Sequence, residues 1–217
     1  MQRLIAIWGS LVLIYIAFLG WHLPRSEPLN DTEVAPMIAK LPESDGRDLL
    51  VADGFAQFLT EDDGAPFFML NLIEYRDEVA YAADVTDPAL TVTAANEAYG
   101  KAVVWEQLKR GSYPAFMFEP RGLLLNSYEP GIGDFDHAVL ARYRSRRDFL
   151  DMITSSEFDA AQKHKWASVE RTLVVPVSPV AIVTPGGVVP ALLVLLGLSV
   201  TALSGRRRRV GTTIQLS

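Results

Sequence analysis

Phe67-Phe68-Met69-Leu70-Asn71-Leu72-Ile73 is an apolar run broken by a single amide. Continued through Glu74 and Tyr75, it predicts a strand buried on both faces over most of its length. Phe68, Leu70 and Leu72 point one way; Phe67, Met69, Asn71, Ile73 and Tyr75 point the other. Arg76 to Leu90 is a polar excursion containing Asp87-Pro88. Thr93 to Arg110 then predicts a helix, capped by Thr93, with Ala95, Ala98, Tyr99, Ala102, Val103 and Trp105 as its apolar side. Lys109 and Arg110 suit its C-terminal end and Gly111 stops it. Tyr113 to Glu119 and Leu123 to Tyr128 read as two strands, or as one broken at Pro120-Arg121-Gly122. Phe135 to Tyr143 is the next strand. Ser145-Arg146-Arg147-Asp148 resembles a capping box opening a helix over Arg147 to Ile153, and Thr154-Ser155-Ser156-Glu157 restarts it to about Glu170. Arg171 to Val177 closes the series. The order β-α-β-β-α-β is the ferredoxin-like pattern of an α+β domain spanning 66–177.

Outside these bounds the chain changes character. Residues 24–65 read as a linker with a short helix: Pro24 to Gly46 carries four prolines and no sustained period, and Asp48 to Leu59 has helical apolar spacing interrupted by Asp53-Gly54. Residues 4–23 are apolar apart from Ser10 and His22, and a membrane helix needs about 20 such residues. A cleaved signal peptide is the rival reading, against which stand the long apolar run and an exit, Gly20-Trp21-His22-Leu23-Pro24, without an Ala-x-Ala-like site. Residues 178–187 are a Pro/Gly-rich hinge, 188–205 a second candidate span, and 206–217 a tail opening with Arg206 to Arg209. Arg3 and this cluster both favour the cytoplasm, which predicts two spans, cytoplasmic termini and an extracytoplasmic central domain. A C-terminal sorting signal is the alternative for the last segment, although no Leu-Pro-x-Thr-Gly or Pro-Glu-Pro box is present.

Charge sharpens the picture. All 26 Asp and Glu lie between the two apolar segments, with only 15 of the 20 Lys and Arg, so the middle of the chain has a formal net charge of −11. A strongly acidic domain does not suit a phosphate backbone, so no nucleic-acid partner is expected. The absence of cysteine removes disulfides, thiol catalysis and cysteine metal sites. No dinucleotide fingerprint, phosphate loop, His-Glu-x-x-His or Gly-x-Ser-x-Gly occurs, and no cofactor is expected.

Phe68 to Arg76, Ala98-Tyr99-Gly100, Leu140 to Met152 and His164 to Leu173 together resemble the family known as domain of unknown function 1330. Arg144, Phe135 and Phe158 stand where that family usually has Pro, Trp and Tyr. The resemblance implies a dimeric α/β barrel, in which two sheets face each other across a two-fold axis. It implies no established reaction.

Five residues are candidates for ligand binding. Asn71 interrupts the apolar strand, and a buried amide must be hydrogen-bonded, either to a ligand between sheet and partner or to backbone. His137 shares a face with Val139 and Ala141 and could act as a base or end its strand quietly. His164 lies off the stripe Phe158, Ala161, Lys165, Val169 and reaches a pocket, the dimer partner or solvent. Tyr99 sits on the packed side of its helix, and Arg142 offers a planar fork for an anion or for a neighbouring acid. With two histidines in the domain and no cysteine, no metal site is expected. Three functions follow: a membrane-tethered homodimeric module binding a small molecule, a cofactor-independent monooxygenase- or isomerase-like enzyme, and a sorted or assembly-related membrane protein.

Overall fold

The computed structural model describes residues 2–24, 27–38, 52–83, 85–86, 88–121, 135–179 and 185–213. They fall into two compact units, one formed by the two terminal segments and the other by Pro24–Pro179.

In the central unit the strands are β1 (Phe67–Tyr75), β2 (Tyr113–Phe118), β3 (His137–Tyr143) and β4 (Val169–Val177). They form one antiparallel sheet in the order β2-β3-β1-β4, the ferredoxin-like arrangement. The opening run is thus a central strand. Phe67 pairs with Tyr143, Met69 with Ala141 and Asn71 with Val139, while Leu70 pairs with Leu140 and Val175. Pro176 lacks a ladder donor and is accommodated because β4 is an edge. The expected strand Leu123 to Tyr128 lies outside the described residues.

Helices of this unit cover one face. Counting from the N-terminus of the chain, α1 is Gln2–His22, α2 Asp31–Ile38, α3 Ala52–Thr60, α4 Val92–Lys109, α5 Arg146–Ile153, α6 Ser156–Ser168 and α7 Pro185–Thr213. Phe67, Met69, Ala141, Tyr143 and Met152 make the core between sheet and helices, with Phe58, Phe149, Ile153 and Phe158 packed on it. Phe67 stacks on Tyr143 at 5.2 Å, and Phe149 meets both edge-on.

Several expected boundaries move for local reasons. Thr91, not Thr93, caps α4, its side chain accepting from the amide of Ala94, so the helix begins at Val92. Ser145 caps α5 as expected, but Ser155, not Thr154, caps α6. The last strand starts at Val169 rather than Arg171, because a register shift at Glu74/Tyr75 lets Tyr75 pair with Val169. Trp105, assigned to the apolar side of α4, is 62 % exposed; Glu106 and Gln107 are buried instead. Glu106 is held by Lys109 and Arg110 at 2.5 and 2.6 Å, and Gln107 donates to the Tyr143 hydroxyl at 2.9 Å. Gly111 ends the helix with φ 68°, which suits glycine.

The segment expected to be a free linker is docked. Asn30 and Glu33 form a reciprocal cap on α2: Asn30 Oδ1 accepts from the amides of Thr32 and Glu33, and Glu33 Oε2 accepts from the amide of Asn30. Glu33 then takes both arms of Arg147, at 2.7 and 3.0 Å, and Asp62 accepts the amide of Leu29 at 2.8 Å. Leu29 and Val34 are buried against Leu59 and Leu150, a second small core. The Asp53-Gly54 pair lies within α3 and does not break it.

In the terminal unit, Leu4–His22 is long and apolar enough to cross a membrane. It is the only such helix among the described residues. The second span expected at 188–205 is a shorter apolar stretch, Val188–Ala202, within α7. The two helices pack: a Cβ added at Gly197 would lie 2.7 Å from Trp8 and 2.9 Å from Leu11.

Candidate functional site

Strand parity and helix contacts separate the five candidates. Asn71 and His137 lie on the helix-covered face of the sheet, where Asn71 pairs with Val139 and Ile73 with His137. Asn71 Nδ2 donates to the carbonyl of Met69 at 3.2 Å. The His137 ring meets Tyr75 edge-on at 5.3 Å, and its Nδ1 is buried with no hydrogen-bond partner among the described residues.

One hydrogen bond fixes which side of α4 faces the sheet: Gln107 donates to the Tyr143 hydroxyl. Residues 100 and 103 fall on the same helical line. Gly100 lies on that side of α4; it is half-buried, and a Cβ added there would meet nothing within 4 Å.

Tyr99 leans from α4 toward α6, and Lys165 of α6 meets it with its Nζ 5.7 Å from the ring centroid. The same amine lies 4.9 Å from the ring of Trp166. Both residues are half-buried, and neither the phenol nor the amine makes a hydrogen bond or ion pair among the described residues. Burial pushes the Tyr99 phenol well above its ordinary value and brings the Lys165 amine down to about 8. The phenol stays a donor at every physiological pH. The amine remains mostly protonated at pH 7, a positive charge without a counter-charge. Two ring faces contribute about 0.5–2 kcal/mol each to such a cation, whereas desolvating it costs several. The site leaves this charge under-compensated.

Arg142 and His164 do not join this group. Arg142 pairs with Phe68, so it belongs to the opposite face. It is 6 % exposed, lies 5.6 Å over the Tyr113 ring and donates to the carbonyl of Gly111 at 3.1 Å. Burial lowers its pKa. His164 turns away from the sheet to the excursion after β1, where its Nδ1 and the Tyr81 hydroxyl are 2.6 Å apart. Strand alternation thus places Arg142 on the other side of the sheet from Asn71 and His137, and these three candidates do not converge.

Lys165 is not among the candidates the sequence singles out; its signal there is one charged residue inside an apolar helical stripe. A separate cleft of about 270 Å³ lies at the far end of the sheet, lined by Gln57, Phe58, Glu61, Phe67, Arg146 and Pro176 among others. Within it Arg146 donates to the carbonyl of Phe58 and stacks on that ring, while its Nε is buried with no hydrogen-bond partner among the described residues, 3.7 Å from Asp62 Oδ1; Glu61 accepts from Gln57. We assign it to the seam between α3 and the sheet.

Gly100→Ala is expected to raise stability by about 0.5–1 kcal/mol, because a helix-interior glycine gains a side chain that meets no other atom. A loss of stability on urea titration would mean that the added methyl group clashes.

No family model matches the chain, and no curated protein matches it. Among solved structures, the chain is similar to a protein of unknown function from Rhodopseudomonas palustris, at 28 % identity over 61 % of this chain and 96 % of that one, with a TM-score of 0.51. The methylated form of that protein aligns at 27 % identity, 62 % and 96 % coverage and a TM-score of 0.52. A dimeric protein of unknown function and ferredoxin-like fold from Bacteroides fragilis aligns at 16 % identity, 52 % and 96 % coverage and a TM-score of 0.31. The Rhodopseudomonas palustris protein is spanned almost completely, so its likeness covers a whole domain of that chain.

Proposed function

We propose that this protein is a membrane-tethered, homodimeric ferredoxin-like module that binds a small molecule between its sheet and the helices α4 and α6. The observation that carries the binding role is His137 on the helix-covered face, its Nδ1 buried with no hydrogen-bond partner among the described residues, with Asn71 on the same face. A buried polar atom left unpaired is costly, and a polar group of a bound molecule would satisfy it. In full-length protein in detergent, His137→Phe is expected to lose bound small molecule while leaving the fold intact. Small molecule retained by that variant in native mass spectrometry would end the proposal.

Dimerisation is supported by the other face of the sheet. Phe68, Leu70, Leu72, Tyr113, Phe116, Phe118, Leu140, Leu173 and Val175 alternate onto it, and no helix of the described residues covers it. Phe116 is 57 % exposed and Phe118 52 %. An apolar sheet face of this kind is a poor surface for water and suits a second copy presenting the same residues. Phe116→Glu places a charge there without disturbing the core. It is expected to convert dimer to monomer, weakening association by a hundredfold or more, as read by native mass spectrometry across concentration. An unchanged dimer would remove this interface.

Membrane tethering by two spans is supported by the apolar α1, by the close approach of α7 to it at Gly197, and by basic residues beyond both. In this arrangement Arg3 and Arg206 to Arg209 are cytoplasmic and the acidic domain is outside. Protease added to spheroplasts is then expected to digest residues 66–177; complete protection would refute the topology.

A further inference from the structure

We infer that the cleft between α3 and the far end of the sheet is a second binding site, and that it takes a small zwitterion, an ammonium and a carboxylate on an apolar side chain. The site is separate from the face that carries His137 and goes beyond the binding role given above.

Arg146 supplies the cation. It opens α5 and lines the cleft of about 270 Å³, with its side chain only 12 % exposed. Neighbouring arginines show what such a group does elsewhere in this domain. Arg144 grips Asp148 with Nε and Nη2, Arg147 grips Glu33 with both terminal nitrogens, and Arg171 grips Glu74 with Nε and Nη2. Arg146 has no such grip. One of its five N–H groups donates to the carbonyl of Phe58, its guanidinium lies 4.7 Å over that ring, and Asp62 Oδ1 stands 3.7 Å from Nε, beyond hydrogen-bond distance. Asp62 is held back from closing that gap, because its two oxygens already accept the amides of Gly64 and Leu29, at 3.0 and 2.8 Å. A planar donor fork that lines a cleft and lacks a carboxylate of its own suits one from outside.

Glu61 supplies the anion. It lines the same cleft at an exposed position; one oxygen accepts from Gln57 at 2.8 Å, and the other carries no hydrogen bond among the described residues. Asp62 offsets the charge of Arg146, so Glu61 leaves the cleft with an excess negative charge. A ligand carboxylate alone would add a second one. An ammonium on the same ligand removes that repulsion and donates to Glu61. The acid-rich composition of the domain acts in the same direction. The apolar part follows from the walls: Phe58, Phe67 and Pro176 line the cleft, the two rings edge to face at 5.0 Å. The cleft is smaller than the roughly 300–1,000 Å³ of sites for drug-sized ligands, which suits a molecule the size of a single amino acid.

The test titrates the full chain in detergent by calorimetry with L-leucine, with isocaproate, which lacks the ammonium, and with isoamylamine, which lacks the carboxylate. L-Leucine is expected to bind wild type about tenfold or more tightly than either analogue. Glu61→Gln, at an exposed position outside the core, is expected to bring L-leucine down to the level of isocaproate. Arg146→Lys keeps a charge beside Asp62, and with it the fold, but removes the fork; it is expected to weaken L-leucine about tenfold and leave isoamylamine unchanged. Equal binding of L-leucine and either analogue to wild type overturns the zwitterion assignment. No binding of any probe, or L-leucine affinity undiminished in both variants, overturns the site. Titrating added probe keeps this test apart from the small molecule assigned to the face of His137: L-leucine binding lost in His137→Phe but kept in Arg146→Lys would place the probe there and overturn this inference alone.

Discussion

Replacing Leu150 by alanine is expected to cost about 3 kcal/mol, within the roughly 2–5 kcal/mol range for emptying a closed apolar site. Leu150 is fully buried, and so is Leu59 beside it; Leu29 and Val34 complete their shell. The side chain thus joins α5 of the ferredoxin-like unit to the segment that leads in from α1. Truncation leaves a cavity that cannot collapse easily, because Arg147 and Glu33 clamp the far side and Asp62 holds Leu29. Pulse proteolysis of the full chain in mild detergent and urea is the appropriate measurement, since a chain with two units need not unfold in one step. The control is Trp105→Ala. Trp105 is larger but largely exposed, and its loss is expected to change stability by about 0.5 kcal/mol or less. A Leu150→Ala effect no larger than the Trp105→Ala effect would mean that the preceding segment is not packed on the domain.

The second large effect has the opposite sign. Lys165→Met is expected to stabilise the protein at pH 7 by about 1–3 kcal/mol, because a half-buried ammonium with no acid partner among the described residues gives way to an apolar chain of similar length. The pH profile identifies the cause. The folded amine titrates at about 8 and the unfolded amine near its ordinary 10.5. Between those values the unfolded chain binds more protons, so wild-type stability rises with pH. The full gap corresponds to about 3 kcal/mol. Above about pH 10 the phenols of Tyr99 and Tyr143 act in reverse: burial raises both, Tyr143 to about 12, so the unfolded chain loses those protons first and stability falls. The gain attributable to Lys165 is therefore read between pH 8 and pH 10. Denaturation midpoints of wild type should climb across that window, and those of Lys165→Met should not. A flat wild-type profile would show that Lys165 is better compensated than its surroundings indicate.

These two residues mark where sequence reading succeeded and where it stopped. Lys165 was visible as a charge inside a helical apolar stripe, but its meaning depends on which acids reach it. Every ion pair that leaves it alone is settled by folding; Glu170, for example, is taken by Arg76 from far along the chain. The Asn30 to Glu33 cap was also present as an Asn-x-x-Glu signature, yet prolines around it gave the segment the look of a linker. Its docking depends on Arg147, more than a hundred residues away.

The order of elements, the buried character of Phe67 to Ile73, the apolar 4–23 segment and the acid-rich middle followed from the sequence alone. Each rests on neighbours in the chain: alternation with period two, spacing near 3.6, a cap three residues ahead of its amide, a run long enough to span lipid. The tertiary structure decided the rest. It set Arg142 on one face of the sheet and Asn71 with His137 on the other, turned His164 toward Tyr81, left Phe116 and Phe118 uncovered, and brought Tyr99 against Lys165. Those outcomes depend on strand register and helix rotation. Both are fixed by the whole set of long-range contacts forming at once, which no local stretch encodes.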